Sequence, residues 1–362
     1  MYLKDLVDIV MGQSPDSKFY NYDKIGLPFY QGKTDFGRLN PTPKMWCSKS
    51  KKEAKPNDIL ISVRAPVGDL NINIEQSCIG RGLAAITCKS DVDMMYIYYH
   101  LKYLKPQLKH ISTGSTFESI NRSQLENLNI NYKSYAEQIK ISNILQVVQR
   151  QIDVKENLLR LYDLLIKSRF VEIFGAFNIN RNNYNTIKFK DLIEQNNINE
   201  EDMVWLLNLD MIKSNTGEII EKVYINRQNI PTSSISFKKG TVLYSKLRPY
   251  LNKVVIADEN GYGTSELIPL NSYKNGLTAE YLAYYLRQDS FVEYIKDKVT
   301  GAKMPRVAMD ILRNIDIIQP NYISQEQFSS FVNQINKLKS DVQKSIDETQ
   351  LLMDSLMQEY FG

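Results

Sequence analysis

Catalysis needs reactive side chains held together, and this chain of 362 residues offers few. Its only imidazoles are His100 and His110. His100 stands in the helical stretch Tyr98-Tyr99-His100-Leu101 and His110 follows Lys109; both settings suit packing or helix-surface positions better than a general base. The sequence has no Gly-x-Ser-x-Gly elbow, no His-Glu-x-x-His and no phosphate-cradling P-loop. Gly80-Arg81-Gly82 and Gly261-Tyr262-Gly263 each lack the third glycine of a dinucleotide fingerprint. Asn40-Pro41 is not followed by Pro and an aromatic, the pattern expected of an amino-methyltransferase. Cys47, Cys78 and Cys88 are odd in number and lack Cys-x-x-Cys spacing, so they read as reduced, partly buried thiols. No catalytic or metal centre is expected.

Binding is what remains. Lys33, Arg38, Arg64 and Arg81, and later Lys246, Arg248, Lys253, Lys303 and Arg306, fall in turns or at strand ends, interleaved with Tyr30, Phe36 and Tyr250. Cations give phosphate affinity, and Arg or Gln in loops can address base edges with two hydrogen bonds at once. Taken singly, each cation could equally be a solvated surface charge. Arg64 and Arg248 also flank Pro turns and could pair with a backbone carbonyl or a carboxylate.

Two long amphipathic segments must position these loops. Over Glu137 to Gly175, Leu145, Val148, Ile152, Leu159, Tyr162 and Ile166 recur at spacings of three and four, with Lys155 in a slot suited to Leu or Ile. That is a coiled-coil seam. From Glu326 to Gly362, Phe328, Phe331, Ile335, Leu338, Val342, Leu352 and Leu356 keep the rhythm, with Ser345 and Thr349 as polar steps. Both segments open on Glu and Gln (Glu137-Gln138, Glu326-Gln327) and close on Phe-Gly (Phe174-Gly175, Phe361-Gly362). The closing pairs lie 362 − 175 = 187 residues apart and the opening pairs 326 − 137 = 189. The chain thus reads as a tandem repeat of a globular unit followed by a long helix, an α/β (α+β) chain in four parts. These are a first globular domain (1–134), a central long helix (135–175), a second globular domain (176–322) and a C-terminal long helix (323–362).

In the first domain the pattern predicts a helix over Leu3 to Val10, a strand entering a turn over Leu27 to Gly32, strands at Ile59 to Arg64 and Leu70 to Ile74, and a loop running into a buried strand over Gly80 to Ile86. A helix over Met94 to Leu104, a short one at Ser123 to Asn127 and a last strand at Leu128 to Ile130 follow. The second domain repeats anchors of this order. Phe189 to Leu192 matches Tyr2 to Leu6, Thr241 to Ser245 matches Asp58 to Ser62, and Thr300 to Arg306 matches Thr113 to Ser119. Asn180 to Ile235 bears no visible likeness to Met11 to Ser50. Hydrophobic content of 43%, charged content of 24% and net charge +4 suit cored domains with at most a local basic patch. The N-terminal stretch carries Lys4, Asp5 and Asp8, unlike a signal peptide, and no apolar run is long enough to span a membrane, so a cytoplasmic location is expected.

Several stretches together resemble the specificity subunits of type I restriction-modification systems. In the first domain these are Gly12-Gln13-Ser14-Pro15, Leu27 to Gly32, Ser62-Val63-Arg64-Ala65-Pro66-Val67-Gly68 and Cys78 to Ile86. In the second they are Leu243 to Leu251, Thr264-Ser265-Glu266-Leu267 and Thr300 to Val307. The likeness covers nearly the whole chain. One departure concerns the Pro-Pro that commonly precedes Glu-Gln in that family; here Ser134-Tyr135-Ala136 and a single Pro320 stand instead. The resemblance implies a subunit that catalyses nothing alone, with two target-recognition domains that each read one half of a split site in double-stranded DNA. It implies long helices packed antiparallel, spanning on the order of 50 Å at 1.5 Å per residue, that dock two methyltransferase subunits; endonuclease subunits would join them. S-adenosylmethionine and ATP would belong to those partners, with no cofactor on this chain and no membrane contact. The residues expected at DNA are Gln31, Lys33, Arg38, Arg64, Arg81, Ser115 and Thr116 in the first domain, and Lys246, Arg248, Tyr250, Lys253, Lys303 and Arg306 in the second.

Two other readings stay open on the residues. A coiled-coil scaffold whose globular ends bind proteins would be indifferent to loss of the basic loops. A self-sufficient methyltransferase or nuclease conflicts with the missing motifs.

Overall fold

The computed structural model describes residues 1–112, 118–180, 183–194, 202–301 and 303–362. The chain forms two compact units, one of residues 1–155 and 345–362, the other of residues 156–344.

In the first unit four antiparallel strands lie in the order Val7–Met11, Leu83–Cys88, Ile59–Ser62, Leu70–Ile72. A second sheet contains Leu27–Tyr30 paired in parallel with Ser77–Ile79. Tyr30, Leu60, Ile79, Leu83 and Ala85 form a buried apolar cluster. The helix predicted over Leu3 to Val10 is a correction: it ends at Leu6, and Val7–Met11 becomes a strand. Pairing of Ile9 with Ile86 outweighs local helical preference there. Leu128 to Ile130 is no strand either, contributing only an isolated bridge between Tyr2 and Asn129. Lys105–Ile111 adds a helix that the pattern did not predict.

The second unit builds a three-stranded sheet from Val254–Ile256, Val242–Ser245 and Leu267–Leu270, all antiparallel. A four-stranded sheet holds Met203–Leu207 parallel to Gly261–Gly263. Trp205, Phe237, Leu243, Val255 and Leu267 form its buried cluster. Here the sequence concealed a likeness. Leu27–Tyr30 and Met203–Leu207 are both parallel-paired strands, each followed by a 3-10 turn, Lys33–Asp35 and Leu209–Met211. The spans that share no visible sequence therefore share backbone topology.

The long helices run Tyr135–Phe174 and Tyr322–Phe361. Their starts and ends are offset equally, 322 − 135 = 187 and 361 − 174 = 187. The reason is a buried glutamine. Gln138 Oε1 accepts from Asp93 N at 2.9 Å while its Nε2 donates to Lys133 O at 2.9 Å. Gln325 Oε1 likewise accepts from Thr278 N at 2.9 Å and its Nε2 donates to Pro320 O at 2.9 Å. Gln325, not Gln327, is thus the counterpart of Gln138, which corrects the 189-residue spacing of the opening pairs to 325 − 138 = 187. Polar caps start both helices: Ser134 and Glu137 form a reciprocal capping pair, and Asn321 Oδ1 accepts from Ser324 N.

Each unit contains one end of both long helices. In the first, Phe361 packs on Tyr96 and His100 with ring centroids at 5.3 and 4.6 Å. Lys155 Nζ there donates to the backbone carbonyl of Ser345 at 3.1 Å and to Thr349 Oγ1 at 2.7 Å, so the polar side chains Lys155 and Thr349 of the two seams pair with each other. In the second, Phe174 packs on Tyr281 at 4.8 Å, Phe170 meets Phe328 at 5.2 Å, and Lys339 pairs with Asp163 at 2.6 Å. The predicted seam needs correction near its end. Leu338 and Leu352 are exposed, whereas Ile346, Met353 and Met357 are buried. In the run Leu351-Leu352-Met353 the apolar identity cannot fix the phase, and burial selects Met353, seven residues after Ile346.

Candidate nucleic-acid interface

In the first unit three loops meet where strands end. Leu27–Tyr30 delivers Gln31 and the turn carrying Lys33 and Thr34; Ile59–Ser62 delivers Arg64; Ser77–Ile79 delivers Arg81. Backbone bonds tie them together: Gly80 N donates to Tyr30 O at 2.8 Å and Val63 N to Gly82 O at 2.9 Å. Asp35 Oδ2 accepts from Gln31 N at 2.7 Å and closes the turn. Gly82 approaches so closely that a Cβ would lie 2.4 Å from Gln31 O. The result is an open concavity of about 490 Å³ lined by Ser14, Gln31, Lys33, Thr34, Arg64 and Arg81, with no acid among the described residues of its lining.

The sequence-predicted cations are not equivalent. Lys33 pairs with Asp69 at 2.6 Å, and Asp69 also takes Lys105. Burial pushes the Asp69 carboxyl up, but hydrogen bonds from Lys105 and Lys33 outweigh it and hold the group below its ordinary range. Arg64 and Arg81 are exposed and form no ion pair among the described residues. Arg38 lies outside this set: it pairs with Asp153 and borders a separate cavity of about 220 Å³ with Tyr98, Tyr99 and Lys102. Ser115 and Thr116 lie outside the described residues.

In the second unit the same backbone lattice recurs. Lys246 N donates to Glu266 O, Val307 N to Lys246 O and Arg248 N to Pro305 O, matching Val63 N to Gly82 O, Ile120 N to Val63 O and Ala65 N to Glu118 O. Glu266 therefore stands where Gly82 stands, and Arg306 where Ser119 stands. Their side chains pair, Arg306 Nη2 to Glu266 Oε1 at 2.7 Å. Arg248 occupies the left-handed region at φ 47, an uncommon state for a bulky side chain, and is exposed. Tyr250 beside it is 43% exposed and Lys303 is exposed. Lys253 instead turns inward and donates to Leu209 O. The loops carrying Lys246, Arg248 and Arg306 are thus joined, but with two of the six residues, Lys253 and Arg306, bonded within the protein.

Sequence reasoning missed Ser14, Thr34, Asp69 and Glu266. Asp69 follows the positive-φ Gly68. His100 is buried, its Nε2 accepting from Asn131 N at 2.9 Å, and His110 is exposed. No cluster of His, Cys, Asp or Glu among the described residues could hold a metal, and no described helix is long and apolar enough to cross a membrane.

Residues 1–161 match the family model of the type I restriction modification DNA specificity domain, so the resemblance read from the motifs is borne out. The chain is 43% identical over 148 residues to a Methanocaldococcus jannaschii protein named "Putative type I restriction enzyme MjaX specificity subunit", covering 41% of this chain and 35% of that one. The match thus spans about a third of that relative's length. Another M. jannaschii protein, the type I restriction enzyme MjaIX specificity subunit, is 23% identical, covering 98% of this chain and 90% of its own. The solved type I restriction-modification S subunit from M. genitalium aligns over 100% of this chain and 95% of its own, with TM-score 0.56 and 14% identity. That likeness extends the fold to the whole chain.

Proposed function

We propose that this chain is the cytoplasmic DNA-specificity subunit of a type I restriction-modification complex and has no catalytic activity of its own. Each globular domain reads one half of a bipartite site in double-stranded DNA. The long helices pack as an antiparallel coiled coil and dock two methyltransferase subunits, and endonuclease subunits join the restriction-competent assembly. S-adenosylmethionine and ATP are bound by those partners.

The observation that carries this reading is the concavity lined by Gln31, Lys33, Arg64 and Arg81, in which, among the described residues, no acid appears and neither arginine has an ion pair. Such a surface favours a ligand rich in anionic and acceptor groups. Docking of a protein partner is supported by Val147 and Val154, seven residues apart on the part of the first long helix in the first unit and 55% and 66% exposed.

The test is binding of the chain, with its methyltransferase partner, to duplex DNA at several salt concentrations. Replacing Arg64, Arg81, Arg248 and Lys303 with Ala together should weaken binding and flatten the salt dependence, by a slope of about 0.9 for each lost phosphate contact. Binding unchanged at every salt concentration would return the chain to the scaffold reading.

A further inference from the structure

The cations of the first unit divide into two chemical kinds, and the division points to one base. Lys33 is held by Asp69 and Arg38 by Asp153, so both charges are compensated inside the protein. Arg81 is exposed, lines the acid-free concavity and has no ion pair among the described residues. Its backbone is fixed on both sides. Gly80 N donates to Tyr30 O, Arg81 N to Ser14 Oγ at 3.3 Å, Leu83 N to Gly80 O at 3.0 Å, and Gly82 O accepts from Val63 N. A Cβ at Gly80 would lie 3.1 Å from Gln31 Cα, and one at Gly82 2.4 Å from Gln31 O, so the Gly-Arg-Gly turn is clamped on the Gln31 backbone.

A phosphate is a forgiving target and needs no such clamp. Reading a base edge needs a guanidinium whose origin is set within a fraction of an ångström. Guanine alone offers two adjacent acceptors, O6 and N7, to the fork of an arginine in the major groove. We propose that Arg81 reads a guanine in the half-site bound by the first recognition domain. This inference rests on the proposed DNA-specificity function. It does not extend to the second unit, where Ser265 precedes Glu266, the counterpart of Gly82, and the nearby Arg306 is bound to that glutamate.

The experiment compares wild type, Arg81→Ala and Arg81→Lys, each as full chain with the cognate methyltransferase subunit. The methylated motif is mapped on genomic DNA, and affinity is measured on the cognate duplex and on one with 7-deazaguanine at the implicated position. The expected result is a motif in which one guanine of one half-site becomes degenerate in both variants while every other position stays fixed. Discrimination at that position should fall by roughly 5- to 150-fold, and 7-deazaguanine should weaken wild type but not Arg81→Ala. Arg81→Lys keeps the charge, so its salt dependence should match wild type. If Arg81→Ala instead keeps its motif and loses affinity evenly over all sequences, with a salt slope smaller by about 1, Arg81 is a phosphate contact and the inference is overturned. A motif without guanine in either half overturns it as well. A wild-type complex with no sequence preference removes the underlying function instead, an outcome distinct from both.

Discussion

Replacing Gln325 by Ala tests whether the buried glutamines are the joints of the repeat. Gln325 has no exposed surface, and its amide satisfies three backbone groups: Thr278 N at 2.9 Å, Pro320 O at 2.9 Å and Gly276 O at 3.1 Å. Gln138 satisfies two, Asp93 N and Lys133 O. A buried backbone group left unpaired costs about 1–3 kcal/mol. Gln325→Ala should therefore destabilise the second unit by roughly 3–6 kcal/mol, taking the lower part of that range per group because water can reach a truncated site. Gln138→Ala should cost the first unit less, by about one group's worth. Hydrogen exchange read by mass spectrometry separates the units without assuming a single two-state transition. Protection should fall around Thr278–Arg287 in the first variant and around Asp93–Tyr103 in the second. Unchanged exchange in the Thr278 segment of Gln325→Ala would refute the reasoning.

His100 supplies a pH test: burial lowers its pKa to about 4 from an ordinary 6.5, so the folded state holds it neutral. The unfolded chain binds the extra proton between those values, so stability falls as pH drops from about 6.5 to 4, by an order of about 3 kcal/mol from this residue. Urea unfolding of the first unit should lose that part of its pH slope in His100→Gln, and equal slopes in variant and wild type would contradict the assignment. Lys155→Met removes the donor to Ser345 O and Thr349 Oγ1 while keeping an unbranched side chain; replacing such a polar step by an apolar one should leave stability unchanged or raise it by about 1 kcal/mol. A loss above about 2 kcal/mol on thermal unfolding would show that Lys155 contributes more than those bonds explain.

The long helices were legible because apolar spacing of three and four over forty residues has few other solutions. Lys155 and Thr349 stood out as misfits in separate seams; only three-dimensional pairing shows that one answers the other, with the Ser345 carbonyl as a second acceptor. The phase beyond Ile346 was not legible, since Leu351, Leu352 and Met353 are all apolar and only the packed partner selects among them. The strand Val7–Met11 was missed because its partner, Leu83–Cys88, is far along the chain. In the candidate interface, the sequence pointed to Gln31, Lys33, Arg64 and Arg81, which do line one concavity. It could not say that Arg38 faces Asp153, that Arg306 is held by Glu266, or that Lys33 is held by Asp69, because each carboxylate lies in another loop or helix.

The proposed specificity function is tested most directly by mapping adenine methylation in genomic DNA from cells carrying the cognate methyltransferase gene, with and without the gene for this chain. The account predicts a split motif, two defined half-sites around an unspecified spacer, that is methylated only when this chain is present. An identical methylation pattern in both cells, with the methyltransferase shown to be active, would contradict it.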